Sequence, residues 1–337
     1  MNNCLPDNLK NIIAKTTKQN FAATALEVFN FQYLNNEFYK SYCDLIKINV
    51  GNINSIEKIP FLPIQFFKSK IIKTTSFETE NVFESSGTTG SINSRHFVRD
   101  INIYEESFLK GFRAFYGNEN DYCILGLLPS YLERKGSSLI YMVNSLIKKS
   151  GKEDSGFYMY DYGKLKEVLL KNEATKQPTI LIGVTYALID FAEQNNMQLN
   201  YTTIMETGGM KGRREEMTRK EVHTLLKENL GVNTVHSEYG MTELLSQAYS
   251  KTDGIFNCPP WMKILVRSED DPLNVDSNKN VAGTYLAGGI NIIDLANIYS
   301  CSFLATDDTG KLYVDNSFEI TGRLENSDIR GCSLMVM

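Results

Sequence analysis

Four short segments concentrate the side chains that could do chemistry. The first is Glu84-Ser85-Ser86-Gly87-Thr88-Thr89-Gly90-Ser91, with four hydroxyls and two glycines in the six residues Ser85 to Gly90. Glycine lets a backbone turn tightly and bring its N–H groups close to a ligand, and hydroxyls add donors, so the loop suits an anion with several oxygens, such as phosphate. Taken alone, it reads equally well as a solvated Ser/Thr/Gly turn. The second segment is His236-Ser237-Glu238-Tyr239-Gly240-Met241-Thr242-Glu243. Its aromatic ring, glycine, hydroxyl and carboxylate could stack a base, approach and bond a phosphate, and hold a magnesium ion. It also reads as a strand-to-helix turn. The third, Leu304-Ala305-Thr306-Asp307-Asp308-Thr309-Gly310-Lys311, places paired acids where they could bond ribose hydroxyls or form an Asx-type hairpin turn. The fourth runs from Ile320-Thr321-Gly322-Arg323 to Asp328-Ile329-Arg330-Gly331-Cys332. No Gly-x-x-x-x-Gly-Lys-Ser/Thr, Gly-x-Gly-x-x-Gly or Gly-x-Ser-x-Gly occurs, and the chain has three histidines, so the P-loop, dinucleotide fold and hydrolase triad are poor matches.

These segments need elements to hold them. Residues 1–50 read as helical, with Phe21, Ala25, Val28, Phe29, Tyr39, Leu45 and Ile46 in helical spacing. Pro60 and Pro63 forbid a regular helix across Pro60 to Phe67, which reads as an apolar connector under a sheet. A strand from Thr74 to Phe83 leads into the first segment. Alternation follows: helix 100–115, strand 122–128, helix 137–149, short strand 157–160, helix 164–171, strand 179–184, helix 186–194, strand 202–206, helix 214–229 and strand 232–236. Such alternation predicts an α/β architecture with mainly parallel strands. Beyond about residue 255, short strands dominate (262–267, 281–286, 298–304, 311–314 and 318–321), with turns expected at 278–280, Gly288-Gly289 and Asp307 to Gly310. They predict a smaller antiparallel sheet or barrel completing the first part.

Composition removes several classes of partner. The 337 residues carry a net charge of −5 without a basic stripe, which argues against nucleic acid and acidic membrane. The first residues lack the pattern of a secretory signal, and the best apolar run, Thr179 to Ile189, is well short of the ~20 residues that span a bilayer. Cys4, Cys43, Cys123, Cys258, Cys301 and Cys332 are scattered, which reads as reduced thiols and a cytoplasmic location.

In this order the segments resemble the adenylate-forming superfamily of acyl- and aryl-CoA ligases, luciferases and non-ribosomal adenylation domains. Ser85-Ser86-Gly87-Thr88-Thr89-Gly90 resembles its phosphate loop, and Thr207-Gly208-Gly209 its adenine-side Gly-Gly segment. Tyr239-Gly240-Met241-Thr242-Glu243 resembles its Tyr-Gly-x-Thr-Glu motif. Thr306-Asp307-Asp308-Thr309-Gly310 is similar to its Thr-Gly-Asp-x-Gly, with Asp307 in place of the glycine, and Gly322-Arg323 resembles the pair before its interdomain hinge. Within the superfamily the chain most resembles the acyl-protein synthetase branch (long-chain-fatty-acid–protein ligases), near phenylacetate-CoA ligases. The connector at 60–68, the stop just past the hinge region, and Arg330-Gly331-Cys332-Ser333-Leu334 carry that likeness.

The resemblance implies a single large adenylate-forming domain over 1–337, divided into a helical region (1–80), an α/β core (81–254) and a β-rich part (255–337), with the C-terminal lid domain absent. It implies ATP and Mg²⁺ as cofactors, a carboxylic acid, most simply a fatty acid, as substrate, and a partner protein that donates or accepts the acyl group. Ser85 to Gly90 would hold the phosphates, Gly208 and Gly209 would flank adenine, and Tyr239 would stack on it. Thr242 would bond the α-phosphate and Glu243 the metal. Asp308 and Arg323 would hold the ribose, and Cys332 would take the acyl group as a thioester. Where the family continues its phosphate loop to Pro-Lys, this chain has Ser91 to Arg95, so Arg95 or Arg99 is the candidate for the missing charge, and Lys211 for the lysine of the missing domain. A shortened acyl- or aryl-CoA ligase and a non-catalytic subunit of a reductase or transferase complex are the competing readings.

Overall fold

The computed structural model describes residues 5–85, 92–129, 136–210, 214–215, 217–269, 271–275 and 285–324. Three N-terminal helices, α1 (Ile12–Lys15), α2 (Phe21–Asn35) and α3 (Glu37–Leu45), begin the chain. On α2 the residues Phe21, Ala25, Val28, Phe29 and Gln32 are buried, as the helical spacing predicts. Asn36 caps α3 by accepting from the Tyr39 amide.

The proline-bearing connector does more than pack under a sheet. Its β1 (Leu62–Pro63) adds a parallel strand beside β13 (Phe303–Tyr313), pairing at Leu304 and Ala305. Proline suits such an edge, where no ladder donor is needed. A single turn, α4 (Phe66–Ser69), follows.

The strand expected over 74–83 is shorter than the sequence suggests. β2 (Asn81–Glu84) pairs antiparallel with β3 (Arg95–Val98). Residues upstream are held elsewhere: the Thr74 amide donates to Tyr299 O and the Thr75 amide to Asn35 O, and Thr75 sits at φ +70°. A β-branched residue at positive φ cannot continue a ladder.

The α/β core follows the expected alternation. It comprises α5 (Ile101–Tyr116), β4 (Cys123–Leu127), α6 (Ser138–Ser150), β5 (Gly156–Phe157), α7 (Tyr162–Thr175), β6 (Thr179–Val184), α8 (Thr185–Gln194), β7 (Thr202–Thr207), α9 (Arg219–Leu230) and β8 (Val235–Tyr239). Local chemistry sets the helix starts: Asp100, Ser137 and Asp161 accept from amides of the first turn, and Thr218 with Glu221 forms a capping box that begins α9 five residues later than expected. Strands β4, β6, β7 and β8 are parallel neighbours, and every residue of β4 and β6 is buried.

Antiparallel strands then extend the same sheet rather than closing a separate barrel. β9 (Ala248–Ser250), β10 (Phe256–Asn257), β11 (Met262–Arg267), β12 (Tyr285–Asp294) and β14 (Phe318–Arg323) join it in the order β11-β12-β13-β14-β10-β9-β8-β7-β6-β4-β5. Two expected turns lie inside strands: Gly288-Gly289 in β12 and Asp307 to Gly310 in β13. Gly288 pairs with Gly310, and a Cβ on Gly310 would stand 2.2 Å from Glu319 O. The glycines permit close backbone approach across a ladder here, not a reversal. The α/β class with parallel strands plus an antiparallel part therefore stands, in one mixed sheet.

Candidate active site

The cleft lies where β7 and β8 end and the sheet changes from parallel (β7–β8) to antiparallel (β8–β9) pairing. Crevices outside the carboxyl ends of parallel strands are the usual ligand sites of such sheets. It encloses about 950 Å³ including its open mouth. It is lined by Thr207, Gly208, Glu238 and the loop from Gly240 to Glu243, by Asp307, Asp308 and Arg323, by Glu84 and Ser85, and by Tyr104, Leu139 and Met142. The four segments singled out in the sequence thus meet in one place.

On the β13 side, Asp308 and Arg323 are directly paired across β13 and β14. The Tyr239 hydroxyl donates to Asp308 Oδ2 at 2.8 Å. Arg323 Nη2 reaches Asp307 Oδ2 at 3.1 Å, and its Nε lies 3.9 Å from Asp308 Oδ1. Behind them Arg267 is buried, donating to Thr306 O at 2.5 Å and Asn291 Oδ1 at 2.8 Å. Burial lowers its pKa, and Asp307 and Asp308 oppose that loss. Tyr239 is the last residue of β8 rather than part of the loop after it. Its ring is 2 % exposed, packs on Phe256 and Phe318, and does not line the cleft. In this structure its hydroxyl supports Asp308.

The Thr242–Glu243 segment hangs from three other elements. His96 on β3 donates from Nδ1 to Thr242 O at 2.9 Å. Asn297 Nδ2 donates to Glu243 O at 2.8 Å. Asp294 accepts from the Leu245 and Ser246 amides and, at 2.6 Å, from the Ser246 hydroxyl. Burial pushes the His96 pKa down to about 4, which leaves a neutral imidazole as the donor. Burial pushes Asp294 up to about 6 against four donors.

At the rim, the Ser85 amide donates to Ser94 O and the Ser94 amide to Ser85 Oγ, which closes the base of the β2–β3 hairpin. Ser86, Gly87, Thr88, Thr89 and Gly90 lie outside the described residues, as do Lys211 and Cys332. Gly208 sits on the cleft at φ +77°, while Gly209 is buried behind it. Arg95 and Arg99 do not face the cleft; they lie over the rings of Phe97 and Tyr299.

A family model described as acyl-protein synthetase, LuxE, matches residues 12–337. The chain belongs to the LuxE acyl-protein synthetase family. A long-chain-fatty-acid–luciferin-component ligase of Aliivibrio fischeri is 26% identical over 335 residues, covering 91% of this chain and 85% of that protein. One of the same name from Photorhabdus luminescens is 35% identical over 66 residues, 19% of this chain and 56% of that protein. Among solved structures, ATP-bound MatB from Rhodopseudomonas palustris superposes with a TM-score of 0.54 at 13% identity, over 75% of this chain and 49% of its own. O-succinylbenzoate coenzyme A synthetase from Bacillus subtilis, in complex with AMP, gives 0.50 at 17%, over 73% and 50%. The chain thus spans about half the length of these structures, and the likeness shows the fold.

Acyl-protein synthetases are ligases, and the cysteines of this family member divide accordingly. Cys43, Cys123 and Cys301 are buried and Cys258 is half-buried; burial raises all four thiol pKa values, that of Cys43 to about 12, so none is poised as a nucleophile. Cys4 is outside the described residues. His236 Nδ1 meets the Tyr116 hydroxyl at 3.1 Å, and burial, with Lys251 nearby, lowers its pKa to about 4. Sequence reasoning did not find His96, Arg267, Glu238 or Gln247. Glu238 adjoins a recognised motif and could have been asked about; the other three carry no local signal.

Proposed function

We propose that this chain uses ATP to activate a carboxylic acid as its acyl-adenylate and then passes the acyl group to a thiol, with Cys332 as the relay to an acceptor protein. The observation that carries this reading is the meeting of Ser85, the Thr242–Glu243 loop and the Asp308–Arg323 pair at one cleft. A carboxylate oxygen attacks the α-phosphorus and the bond to pyrophosphate breaks. A thiolate then attacks the acyl carbon and the bond to AMP breaks, leaving a thioester. The first step asks mainly for positioning and charge neutralisation.

The chain's own residues supply the positioning. Ser85, at the rim, is placed to bond the leaving phosphates. The Thr242 hydroxyl bonds the α-phosphate, with its peptide held by His96. Asp308 accepts from the ribose hydroxyls while Tyr239 and Arg323 keep it oriented. Magnesium fits this site for a physical reason. The described walls carry Glu84, Glu243, Asp307 and Asp308 against the single guanidinium of Arg323, an arrangement that repels a triphosphate unless a cation lies between. Glu243 would hold the ion together with phosphate oxygens. When bound, the ion neutralises charge on the phosphates. No helix among the described residues is long and apolar enough to cross a membrane.

Acid-dependent exchange of labelled pyrophosphate into ATP tests the first half-reaction. Exchange with at least one member of a broad acid panel is expected; its absence throughout rejects the enzymatic reading. For the second half, Cys332→Ser should keep exchange and lose the hydroxylamine-labile acyl label on the protein. A Cys332→Ser protein that labels like the wild type removes the relay and favours coenzyme A as the acceptor.

A further inference from the structure

Arg267 ends β11, two strands away from the acidic pair on β13, and nothing in the chemistry above uses it. It is 5 % exposed, and its guanidinium crosses β12 to reach β13. Nη1 donates to Ile290 O at 2.7 Å and to Asn291 Oδ1 at 2.8 Å, and Nη2 donates to Thr306 O at 2.5 Å. All three acceptors are neutral carbonyl oxygens. Burial disfavours the charge of Arg267, and Asp307 and Asp308 are the first of the charges that favour it. An apolar side chain would fill the same space without the cost of burying a charge. The guanidinium therefore needs a reason beyond packing.

Its route across the sheet exists because β12 has no side chain there. Gly289 faces Arg267 directly in the β11–β12 ladder. A Cβ at Gly289 would stand 2.8 Å from Arg267 Cζ and 3.0 Å from its Nε and Nη2. Between Gly289 and Asn291 the register of β12 against β13 shifts. At that irregularity Ile290 O accepts from Arg267 Nη1 and, at 2.9 Å, from the Thr306 hydroxyl. The Thr306 hydroxyl in turn accepts from the Asp308 amide at 3.2 Å. Arg267 thus holds Thr306 by its carbonyl directly and by its hydroxyl through Ile290, and Thr306 holds the backbone of Asp308.

We propose that Arg267 is a positioning residue for the nucleotide: passing through the gap at Gly289, it fixes the Thr306–Asp308 segment and with it the direction of the Asp308 carboxylate. This rests on the reading that Asp308 accepts from the ribose hydroxyls of ATP. Arg267 does not line the cleft, so it acts on the ligand through Asp308 alone. The planar fork suits the task, because one nitrogen serves Ile290 and Asn291 while another serves Thr306. A lysine ammonium keeps the charge but is a single point that lacks this fork.

Calorimetric titration of ATP with Mg²⁺ into the full chain tests this. Arg267→Lys should weaken ATP binding roughly tenfold. Gly289→Ala should weaken it to a similar extent, because its methyl group displaces the guanidinium while leaving the cleft untouched; the φ of Gly289 is one that alanine adopts. Two combinations separate positioning from damage to the fold. In an Arg267→Met background, where no guanidinium remains to be displaced, Gly289→Ala should change ATP binding by less than about twofold. In an Asp308→Asn background, Arg267→Lys should likewise add less than about twofold, since its effect runs through that carboxylate; Gly289→Ala takes its place there if Arg267→Lys does not fold. Full and additive losses in these backgrounds overturn the proposal, as do single variants that bind ATP like the wild type while Asp308→Asn does not. An Asp308→Asn protein that binds ATP as the wild type does, or a wild type that does not bind it, rejects the nucleotide reading itself, so the two failures are separable.

Discussion

Two carboxylates of the cleft, Asp308 on β13 and Glu238 on β8, stand in opposite surroundings. Asp308 sits among the Tyr239 hydroxyl, the Arg323 guanidinium and a rear shell built by Arg267. Glu238, on the face of β8 opposite to Tyr239, is buried with the Thr207 hydroxyl and Glu206 nearby. The first arrangement offers partners to a negative charge before any ligand arrives. The second favours the neutral acid by withholding water and cations. Neighbouring residues of β8 thus take opposite parts: Tyr239 bonds the carboxylate on β13, and Glu238 turns away from it.

That contrast can be broken from the centre outward. Glu243 lines the same cleft and is 1 % exposed. Glu243→Gln keeps its shape, removes its charge, and should reduce pyrophosphate exchange by roughly 10²- to 10³-fold, with weakened Mg²⁺ dependence. Exchange kinetics across Mg²⁺ concentrations decide this; an unchanged Mg²⁺ response removes the metal assignment.

The next effect is on stability against pH, where two buried groups act with opposite signs. Glu238 keeps its proton up to about pH 7, above its ordinary value of 4.5. As pH rises from 4.5 to 7 the unfolded chain has released that proton while the folded chain has not, so stability falls. His96 is held down at about 4 from its ordinary 6.5. As pH falls from 6.5 to 4 the unfolded chain gains a proton that the folded chain refuses, so stability falls on acidification. Each is worth about 3 kcal/mol over its window. Denaturant melts at several pH values should therefore show Glu238→Gln flattening the loss toward neutral pH and His96→Gln flattening the loss toward acid. Identical slopes in both variants and the wild type would contradict the assignment.

Asp308→Asn comes next, with an expected rise in KM for ATP of roughly 10- to 10²-fold, since a charged acceptor of ribose hydroxyls is lost. The comparison predicts little change in preference among acids. Tyr239→Phe is the mildest change. It leaves the packing on Phe256 and Phe318 and removes one neutral donor to Asp308, so KM for ATP should rise about fivefold to tenfold. If Tyr239→Phe left KM for ATP unchanged, the hydroxyl would contribute nothing through Asp308 and its supporting role would fall.

Much of the architecture could be read locally. Helix starts at Asp100 and Ser137 came from side chains that bond their own first turn, and the buried strand 179–184 from an unbroken apolar run. The errors share one cause. Thr74 to Phe83 carries strand-like residues, yet the amides of Thr74 and Thr75 are taken by residues far away in sequence. Asp307 to Gly310 has turn composition, yet it pairs with β12 on one side and β14 on the other. Local composition describes what a segment can do; the ladder partner decides which option is used.

The same division applies to the site. The sequence by itself determined which residues carry hydroxyls, carboxylates and guanidinium groups, and their order along the chain, because composition and motif spacing are local properties. Only the tertiary structure decided their directions. It turned Tyr239 from the cleft to Asp308, brought His96 to the Thr242 carbonyl across 146 residues, and set Glu238 and Gln247 in one cleft. Those outcomes depend on strand register and on which face of β8 meets which neighbour. A shift of one residue in that pairing would exchange the faces that Glu238 and Tyr239 take.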